Sequence, residues 1–599
     1  MSNTTYAIYP AIGVARVGNA PEEFYIGPET YGGLPILADG RSFGRNDFRD
    51  AEGRIRRQAA RFRVYRSVDG GAPEEVTLDT PGVTAIRWAV HVANKKSSWY
   101  EFSTKQGETG YPPNHPLRNP SKTTPDERRR LIIDPGPRTI AGKSQGAVPF
   151  SRDTIPSGYK GGVFPPPTLK PHSIDTLGEL RTDNQGRLLV LGGLGRSGSE
   201  EESPVIKQYA NNDGWWDDTS DGPVEAVVVI TDADGKSVEI PVTPAWVICG
   251  PPSYAPQIAN VVTLYDTIFD MAVRHMAARP DIFEDGLWKA GPDGYKPYFE
   301  TDIRPIFERA GNNTWVAAMP SRPHAFDLKR LSDPSQELIG MRQYYLSYLR
   351  GPGQENVLLH PDNGATLMPY LAGDDALRAS EPGTTTAATS KYLRITDTQY
   401  FFMMQWAAGH FHPGKEPSTH PGEALTRAVL ENCVGGAFSP GIEMSWNSRN
   451  PAMYSAPFRI RPRKPVPGPL NLGYNPAAGM EPGDICRYMA VPWQADFNEC
   501  SSQPIVGRVL WWWPAQRPEY VFLEPKGLRA TPGPEHGTQV PWIGTAYDQN
   551  ASGYINFIDD LEMVEKWDKL GFIYNIGTEE EVHFVEVSRL LPRNTPDEG

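Results

Sequence analysis

Cysteine is scarce in this chain of 599 residues, which contains only Cys249, Cys433, Cys486 and Cys500. Four cysteines so widely spaced make neither a disulfide framework nor a zinc ribbon. We therefore expect a reducing compartment, in which any cysteine with a role serves chemistry rather than crosslinking for stability.

Positive charge and long apolar runs are also lacking. Lysine and arginine number 59 against 72 acidic residues, which gives a formal net charge of −13. A protein that binds nucleic acid or an anionic membrane needs a basic excess to neutralise phosphates, so the sequence argues against both partners. No window reaches the roughly 18 apolar residues of a membrane span, and the N-terminus lacks the apolar run of a secretory signal. We expect a cytoplasmic protein.

Proline and glycine are abundant, with 59 and 58 residues, so elements should be short and turns frequent. Residues 1–255 carry β-branched and aromatic runs bounded by Gly, Asp or Pro, and Asp232–Gly235 has the composition of a hairpin turn. Strands do not alternate with long helices, which argues against a doubly wound parallel sheet. The length is typical of about two to four domains.

Helical periodicity begins near residue 256. One apolar stripe recurs every three to four residues, at Val262, Tyr265, Phe269 and Val273. It ends at Arg279–Pro280, and residues 256–420 should be mainly helical. Residues 421–599 mix proline-rich loop, strand-like runs and a closing helix. We predict a β-rich α+β fold with antiparallel sheets in the N-terminal part, a helical middle and a mixed, loop-rich C-terminal part.

Familiar catalytic motifs are weak or missing. Gly193, Gly195 and Gly198 have the G-x-G-x-x-G spacing of a dinucleotide site, but an acidic cluster follows them instead of a helix N-terminus, so we interpret this segment as a loop. No G-x-S-x-G elbow follows a strand, and no Cys-His signature is visible. Hydrolysis by an activated serine or cysteine therefore has little support.

Histidines cluster in one loop, at His410, His412 and His420. An H-x-H pair on an extended segment can bind a transition metal. The loop is polar, however, and imidazoles at a helix end are the simpler interpretation. We assign no metal, and we expect His410 and His412 to lie near a bound substrate.

The stretch Glu423–Trp446 combines a short helix with a glycine-rich end. Val429 and Cys433 share one helix face, and Gly435 and Gly436 can end the helix and allow close packing. Trp493 follows a proline sixty residues after Cys433. Our interpretation is that Cys433 and Trp493 meet in the fold.

Four blocks in this order resemble the LodA-like family of L-lysine ε-oxidases and glycine oxidases. They are YAIYPAIGVARVGNAPEEFYIGPE, NNDGWWDDTSDGPVEA, ENCVGGAFSPGIE and VPWQADFNEC. In that family a cysteine and a tryptophan are joined as cysteine tryptophylquinone. The resemblance implies that Cys433 and Trp493 form this cofactor.

The resemblance also implies an activity. A quinone supplies the electrophilic carbonyl and the electron sink that unmodified side chains lack, and a general base then removes a proton from the amine-bearing carbon. The expected reaction is oxidation of a primary amine or amino acid by O2, with release of ammonia and H2O2. Expected partners are a flavoprotein modifying enzyme that matures the cofactor and further copies of the chain in a homo-oligomer.

Two positions depart from the family pattern. An acid is expected one helical turn before the cysteine, where this chain has Val429, and a histidine is expected two residues after the tryptophan, where it has Ala495. Glu431, Glu443 and Asp496 are the candidate acids in its place.

By the same resemblance, Trp216 stands where an aromatic residue lies near the quinone, and Ala495 lies beside the substrate. Two alternatives stay open. The first is a tailoring oxidase or oxygenase of secondary metabolism that uses the same cofactor, and the second is a non-catalytic homologue that lacks the quinone.

Overall fold

The structure of this protein is a computed structural model. It describes residues 4–103, 111–231, 234–319, 322–373, 391–418, 420–436, 440–465, 468–499, 503–505, 508–510, 513–523, 539–544, 547–548, 553–554, 557–578 and 581–590. Within these segments, no helix combines the length and apolarity that crossing a bilayer requires.

The N-terminal part is built mainly of strands. They are β1 (Thr4–Tyr9), β2 (Ile12–Arg16), β3 (Phe24–Ile26), β4 (Ile36–Leu37), β5 (Arg57–Val68), β6 (Glu74–Val76), β7 (Val83–Val90), β8 (Arg138–Ala141), β9 (Val148–Ser151), β10 (Lys170–Pro171), β11 (Thr176–Thr182), β12 (Leu188–Leu191), β13 (Ser197–Ser199), β14 (Trp215–Asp217), β15 (Ser220–Thr231), β16 (Ser237–Pro241) and β17 (Ala245–Gly250). The short helix α1 (Pro125–Arg129) lies between β7 and β8.

One large sheet organises this part, with the strand order β8-β7-β15-β17-β2-β5-β12-β11-β9. Its strands pair antiparallel except for β17 with β2 and β3 with β5. β15 and β16 pair with Thr231 opposite Ser237, which confirms the hairpin predicted around Asp232–Gly235, although residues 232 and 233 lie outside the described residues. Trp88 and Trp216 belong to the sheet's own core cluster.

The middle part contains helices and one short hairpin. Its elements are α2 (Leu264–His275), β18 (Phe283–Glu284), β19 (Leu287–Trp288), α3 (Arg304–Asn312), α4 (Leu328–Leu331), α5 (Ile339–Ser347) and α6 (Asp397–Ala407). A π-helical turn, Phe299–Ile303, leads into α3. A capping box between Thr263 and Asp266 starts α2 at Leu264, two residues after the predicted stripe begins. The helix ends before Arg279 because Ala277 adopts a φ of 50°.

The C-terminal part mixes both element types. It contains α7 (Pro421–Glu431), β20 (Tyr454–Ala456), β21 (Arg459–Ile460), α8 (Trp493–Glu499), β22 (Gln503–Ile505), β23 (Arg508–Leu510), β24 (Tyr520–Phe522), β25 (Gln539–Pro541), β26 (Tyr547–Asp548), β27 (Gly553–Tyr554), α9 (Asp560–Lys566), β28 (Phe572–Asn575) and β29 (Phe584–Val587). The strands among them form two-stranded antiparallel sheets. The closing helix predicted from the sequence is α9.

The largest hydrophobic cluster contains residues from all three parts, including Phe48, Trp406 and Trp567. A smaller cluster lies between the sheet and the helices, where Ile12 and Trp246 of the sheet meet Ile268 of α2 and Leu430 of α7. The β-rich α+β class is confirmed. The division at residues 255 and 420 stays a prediction.

Candidate functional site

Helix α7 places Cys433 beside the large sheet. His420 caps the start of the helix, where its ring nitrogen accepts the N–H groups of Gly422 and Glu423. Cys433 lies two residues after the last helical residue, and its Sγ is 3.3 Å from the carbonyl oxygen of Val429. The sequence pattern predicted Cys433 on the last turn of this helix, but α7 ends at Glu431 and Cys433 lies just beyond its C-cap, Asn432. The helix-capping interpretation of His420 is confirmed.

Close packing after Cys433 depends on glycine. A Cβ at Gly435 would lie 2.0 Å from the carbonyl oxygen of Thr263, so no larger residue fits there without a backbone shift. The carbonyl of Cys433 accepts the N–H of Leu264, and Gly435 donates to Val262. The start of α2 and the end of α7 are thereby held together, as the glycine-rich pattern predicted.

A buried ion pair lies next to Cys433. Arg16, the last residue of β2, donates from Nη2 to Glu443 Oε1 at 2.6 Å, and Glu443 Oε2 accepts the N–H of Val434 at 3.0 Å. Arg16 Nη1 also donates to the carbonyl of Pro251. Both side chains of the pair are almost fully buried. Glu443, a candidate acid, is therefore the counter-ion of Arg16 in this arrangement.

The same pair sets the electrostatics of the thiol. Burial raises the pKa of Cys433 well above its usual value, and the negative charge of Glu443 raises it further. Arg16 Nη2, which is 3.9 Å from Cys433 Sγ, opposes both effects. The balance keeps Cys433 a neutral thiol.

A small cavity of about 30 Å³ adjoins this group and is called the Cys433 pocket below. Val429, Asn432 and Cys433 line it from the end of α7, and Arg16 lines it from β2. Segments 27–29 and 58–61 also line it. It holds water-sized groups and combines one thiol with charged and amide side chains.

Trp493 lies in a different environment. It starts α8, and its ring packs edge-on against Phe497 and Trp567, with centroid distances of 5.6 and 5.4 Å. Trp493 belongs to the largest hydrophobic cluster, whereas Cys433 belongs to the cluster between the sheet, α2 and α7. Their side chains therefore do not pack against each other. Our interpretation that the two residues meet is not supported, because the end of α7 is held against β2 while α8 packs against Trp567.

A second buried ion pair fixes the start of α8. Asp217 Oδ2 accepts from Lys96 Nζ at 2.8 Å and from the backbone N–H of Trp493 at 3.0 Å. Asp217 Oδ1 is bound by Asn94 and Thr219. The carboxylate thus neutralises a buried lysine and satisfies an N–H group at the helix start.

The remaining candidates are spread over the molecule. Trp216 is buried in the sheet core and donates from Nε1 to the carbonyl of Leu131, away from the Cys433 pocket. Glu431 is ion-paired with Arg427 at 2.9 Å and with Arg309 at 3.6 Å.

Four further candidates lie on α8 and after α6. Ala495 and Asp496 are buried in α8. His410 and His412 follow α6, where the exposed His412 stacks on Tyr298 with the ring centroids 4.7 Å apart. Among the described residues, no group of three or more His, Cys, Asp or Glu side chains is arranged to hold a metal ion.

The sequence interpretation missed Arg16, Lys96 and Asp217. Arg16 carried a usable signal, since it is a charged residue at the end of an apolar strand pattern and therefore needs a buried partner. Nothing local could pair Lys96 with Asp217, which are far apart along the chain.

Removal of the acid next to Cys433 should be costly. Glu443→Gln leaves the buried Arg16 without a counter-charge, and we expect the free energy of unfolding to fall by about 3–5 kcal/mol. The matched control is Asp39→Asn, which removes one of the carboxylates beside the exposed Arg41 and should leave the free energy of unfolding nearly unchanged. Urea denaturation measures both. Equal stability of the two variants would contradict the assignment.

Asp218, next to Asp217, gives a prediction about pH. Burial raises the pKa of Asp218 from 3.8 to about 7, and the charge of Asp217 adds to this. Its Oδ1 atom has no hydrogen-bond partner among the described residues. The folded state therefore binds more protons than the unfolded state between about pH 4 and pH 7, so Asp218 lowers stability as pH rises through this range.

Asp218→Asn should remove that contribution, so its melting temperature should fall less between pH 5 and pH 8 than that of the unsubstituted protein. Each pK unit is worth about 1.4 kcal/mol. The control is Asp126→Asn, at an exposed position paired with Arg129. An unchanged pH profile in Asp218→Asn would refute the prediction.

Known proteins resemble this chain over most of its length. Family models described as L-lysine epsilon oxidase N-terminal and C-terminal domain match residues 9–249 and 376–519. The L-lysine 6-oxidase of Marinomonas mediterranea is 35% identical over 533 residues, which are 83% of this chain and 71% of that protein. The crystal structure of the L-Lys ε-oxidase from Marinomonas mediterranea matches with a TM-score of 0.83 at 30% identity. The match covers 98% of this chain and 95% of that one. The crystal structure of the Schiff base intermediate of that enzyme with L-Lys gives the same values. The chain belongs to the L-lysine ε-oxidase family.

Proposed function

We propose that this protein oxidises a primary amine or amino acid with O2 and releases an aldehyde or 2-oxo acid, ammonia and H2O2. The observation that carries the proposal is the match of 98% of the chain to the L-Lys ε-oxidase structure. Membership of the L-lysine ε-oxidase family makes the chain an amine or amino-acid oxidase. Which amine or amino acid it oxidises is left to the substrate screen described below.

Amine oxidation needs an electrophilic carbonyl and an electron sink, and a quinone-type cofactor supplies both. We propose cysteine tryptophylquinone, formed from a cysteine and a tryptophan of this chain. Maturation by a flavoprotein modifying enzyme, a homo-oligomeric state and a cytoplasmic location belong to the same proposal.

Two cysteines are candidates for the crosslink. Cys433 with Trp493 is the pair indicated by the resemblance, but the two belong to separate hydrophobic clusters and Val429 stands one turn before Cys433. Cys500 fits the family pattern better, because Asp496 precedes it by four positions and lies on α8. Cys500 itself lies outside the described residues. We favour Cys500 and propose that Cys433 lines a neighbouring pocket.

The chain's own residues then have defined tasks. Asp217 and Lys96 fix the start of α8, which carries Asp496. Asp496 is the acid available one helical turn before Cys500, and it is our candidate for proton transfer during cofactor formation. Arg16 with Glu443 fixes the segment that carries Cys433.

Ala495 supports a substrate preference that differs from that of relatives with histidine at the corresponding position. Alanine offers no group that binds or polarises a substrate, and it is fully buried in α8. The tailoring oxidase and the non-catalytic homologue remain the alternative outcomes of the experiments below.

The first experiment measures cofactor and activity together. Co-expression with a flavoprotein modifying enzyme should give a chain about 28 Da heavier than its sequence mass, because quinone formation adds two oxygens and the reaction removes hydrogens. The product should absorb visible light and release H2O2 with one of the amines or amino acids screened. A colourless chain of unmodified mass after co-expression would favour the non-catalytic homologue.

The second experiment assigns the crosslink. Cys500→Ser should abolish the visible absorbance and the mass shift, whereas Cys433→Ser should keep both, since only Cys500 has an acid one turn before it. Peptide mapping of the unsubstituted chain gives the joined residues directly. A peptide that links Cys433 to Trp493 would overturn our preference for Cys500.

A further inference from the structure

A second cavity lies on the other side of α7 from the Cys433 pocket. Val429 and Cys433 line the first, whereas Arg427 lines the second, and two residues along a helix point in roughly opposite directions. This second cavity, called the Arg427 cavity below, has a volume of about 40 Å³.

Charged side chains of both signs line the cavity, and most of them are paired. Asp266 contacts Arg309 at 2.6 Å, and Arg427 contacts Glu431 at 2.9 Å. Because these ions neutralise one another, they leave little attraction for a ligand.

Among the described charged residues that line the cavity, Asp302 is the one that has no ion-pair partner. One of its oxygens accepts the N–H of Tyr298 at 2.8 Å, and the other has no hydrogen-bond partner in the described part of the chain. No described lysine, arginine or histidine lies within ion-pair distance of it. Burial raises the pKa of Asp302 to about 6, and the charge of Arg427 lowers it against that effect. A buried carboxylate of this kind costs free energy until a donor reaches it.

Arg427 has spare capacity facing the same space. It donates from Nε to Glu431 and from Nη2 to the carbonyl of Thr301, which leaves Nη1 without a partner among the described residues. The Arg427 side chain is 26% accessible and lines the cavity. The cavity is therefore lined by a carboxylate and a guanidinium group that each keep one atom without a partner among the described residues.

We propose that the Arg427 cavity binds a small α-amino acid, whose ammonium group is held by Asp302 and whose carboxylate is held by Arg427. A zwitterion satisfies both groups at once, whereas a cation or an anion alone satisfies only one. The volume restricts the ligand to the size of glycine or alanine. The site is separate from the Cys433 pocket and does not depend on the proposed oxidase activity.

An entrance is visible on the surface. Arg279, Tyr295 and Glu416 line both this cavity and an open surface cleft of about 1110 Å³. Arg279 contacts Glu416 at 3.4 Å across the boundary between the two. We expect the amino acid to enter from the cleft past this ion pair.

Binding of glycine to the complete protein tests the proposal. The protein is first treated with phenylhydrazine, which blocks any quinone carbonyl, so that titration calorimetry reports binding away from the cofactor. Glycine should bind the unsubstituted protein at least tenfold more tightly than methylamine or acetate, each of which carries only one of the two charged groups.

Asp302→Asn should weaken glycine binding at least tenfold. The matched control, Glu300→Gln, lies two residues earlier in the same turn, pairs with the partly exposed Arg304 and should leave binding unchanged. Thermal melting of both variants checks that they are folded. The proposal is overturned if glycine does not bind the unsubstituted protein, or if it binds Asp302→Asn and the unsubstituted protein equally well.

The experiment also separates this proposal from the oxidase. Loss of glycine binding in Asp302→Asn with unchanged H2O2 release supports a separate amino-acid site. An absence of H2O2 release from a protein that still binds glycine through Asp302 counts against the proposed function alone.

Discussion

The ion pair between Arg16 and Glu443 is the constraint on which the candidate site depends. Two opposite charges taken out of water are stable only while they contact each other and have their remaining hydrogen bonds satisfied. Glu443 meets this condition through Arg16 and the N–H of Val434, and Arg16 through Glu443 and the carbonyl of Pro251. The ion pair therefore connects the C-terminal end of β2 to the segment after α7, which carries Cys433.

A second buried pair does the same for the next helix. Lys96 and Asp217 come from the sheet half of the molecule, yet Asp217 also holds the N–H of Trp493 at the start of α8. The two helices that carry the candidate cysteine and acid positions are thus both positioned by charges from the N-terminal part. The parts of the chain also share hydrophobic clusters.

Helix α7 separates two small polar cavities of different character. On one side, the neutral thiol of Cys433 lies next to a completed ion pair. On the other side, Asp302 and Arg427 each keep an unpartnered atom among the described residues, although the other ions around them are matched. Completed pairs stabilise the fold, whereas incomplete ones favour a ligand, and this contrast distinguishes a structural cluster from a binding site.

The sequence by itself determined the elements that depend on local pattern. The hairpin around Asp232–Gly235, the α2 stripe and the glycine-rich end of α7 follow from turn chemistry and periodicity, and they are confirmed. The four sequence blocks indicated the family, which the comparisons confirm.

The tertiary structure alone decided which distant residues meet. Sequence order could not reveal that Cys433 packs with the sheet while Trp493 packs with Trp567, because packing partners are chosen by the whole three-dimensional arrangement. The buried charges have the same property. Asp217 meets Lys96 across 121 positions of the chain, and only the folded sheet brings their opposite charges together.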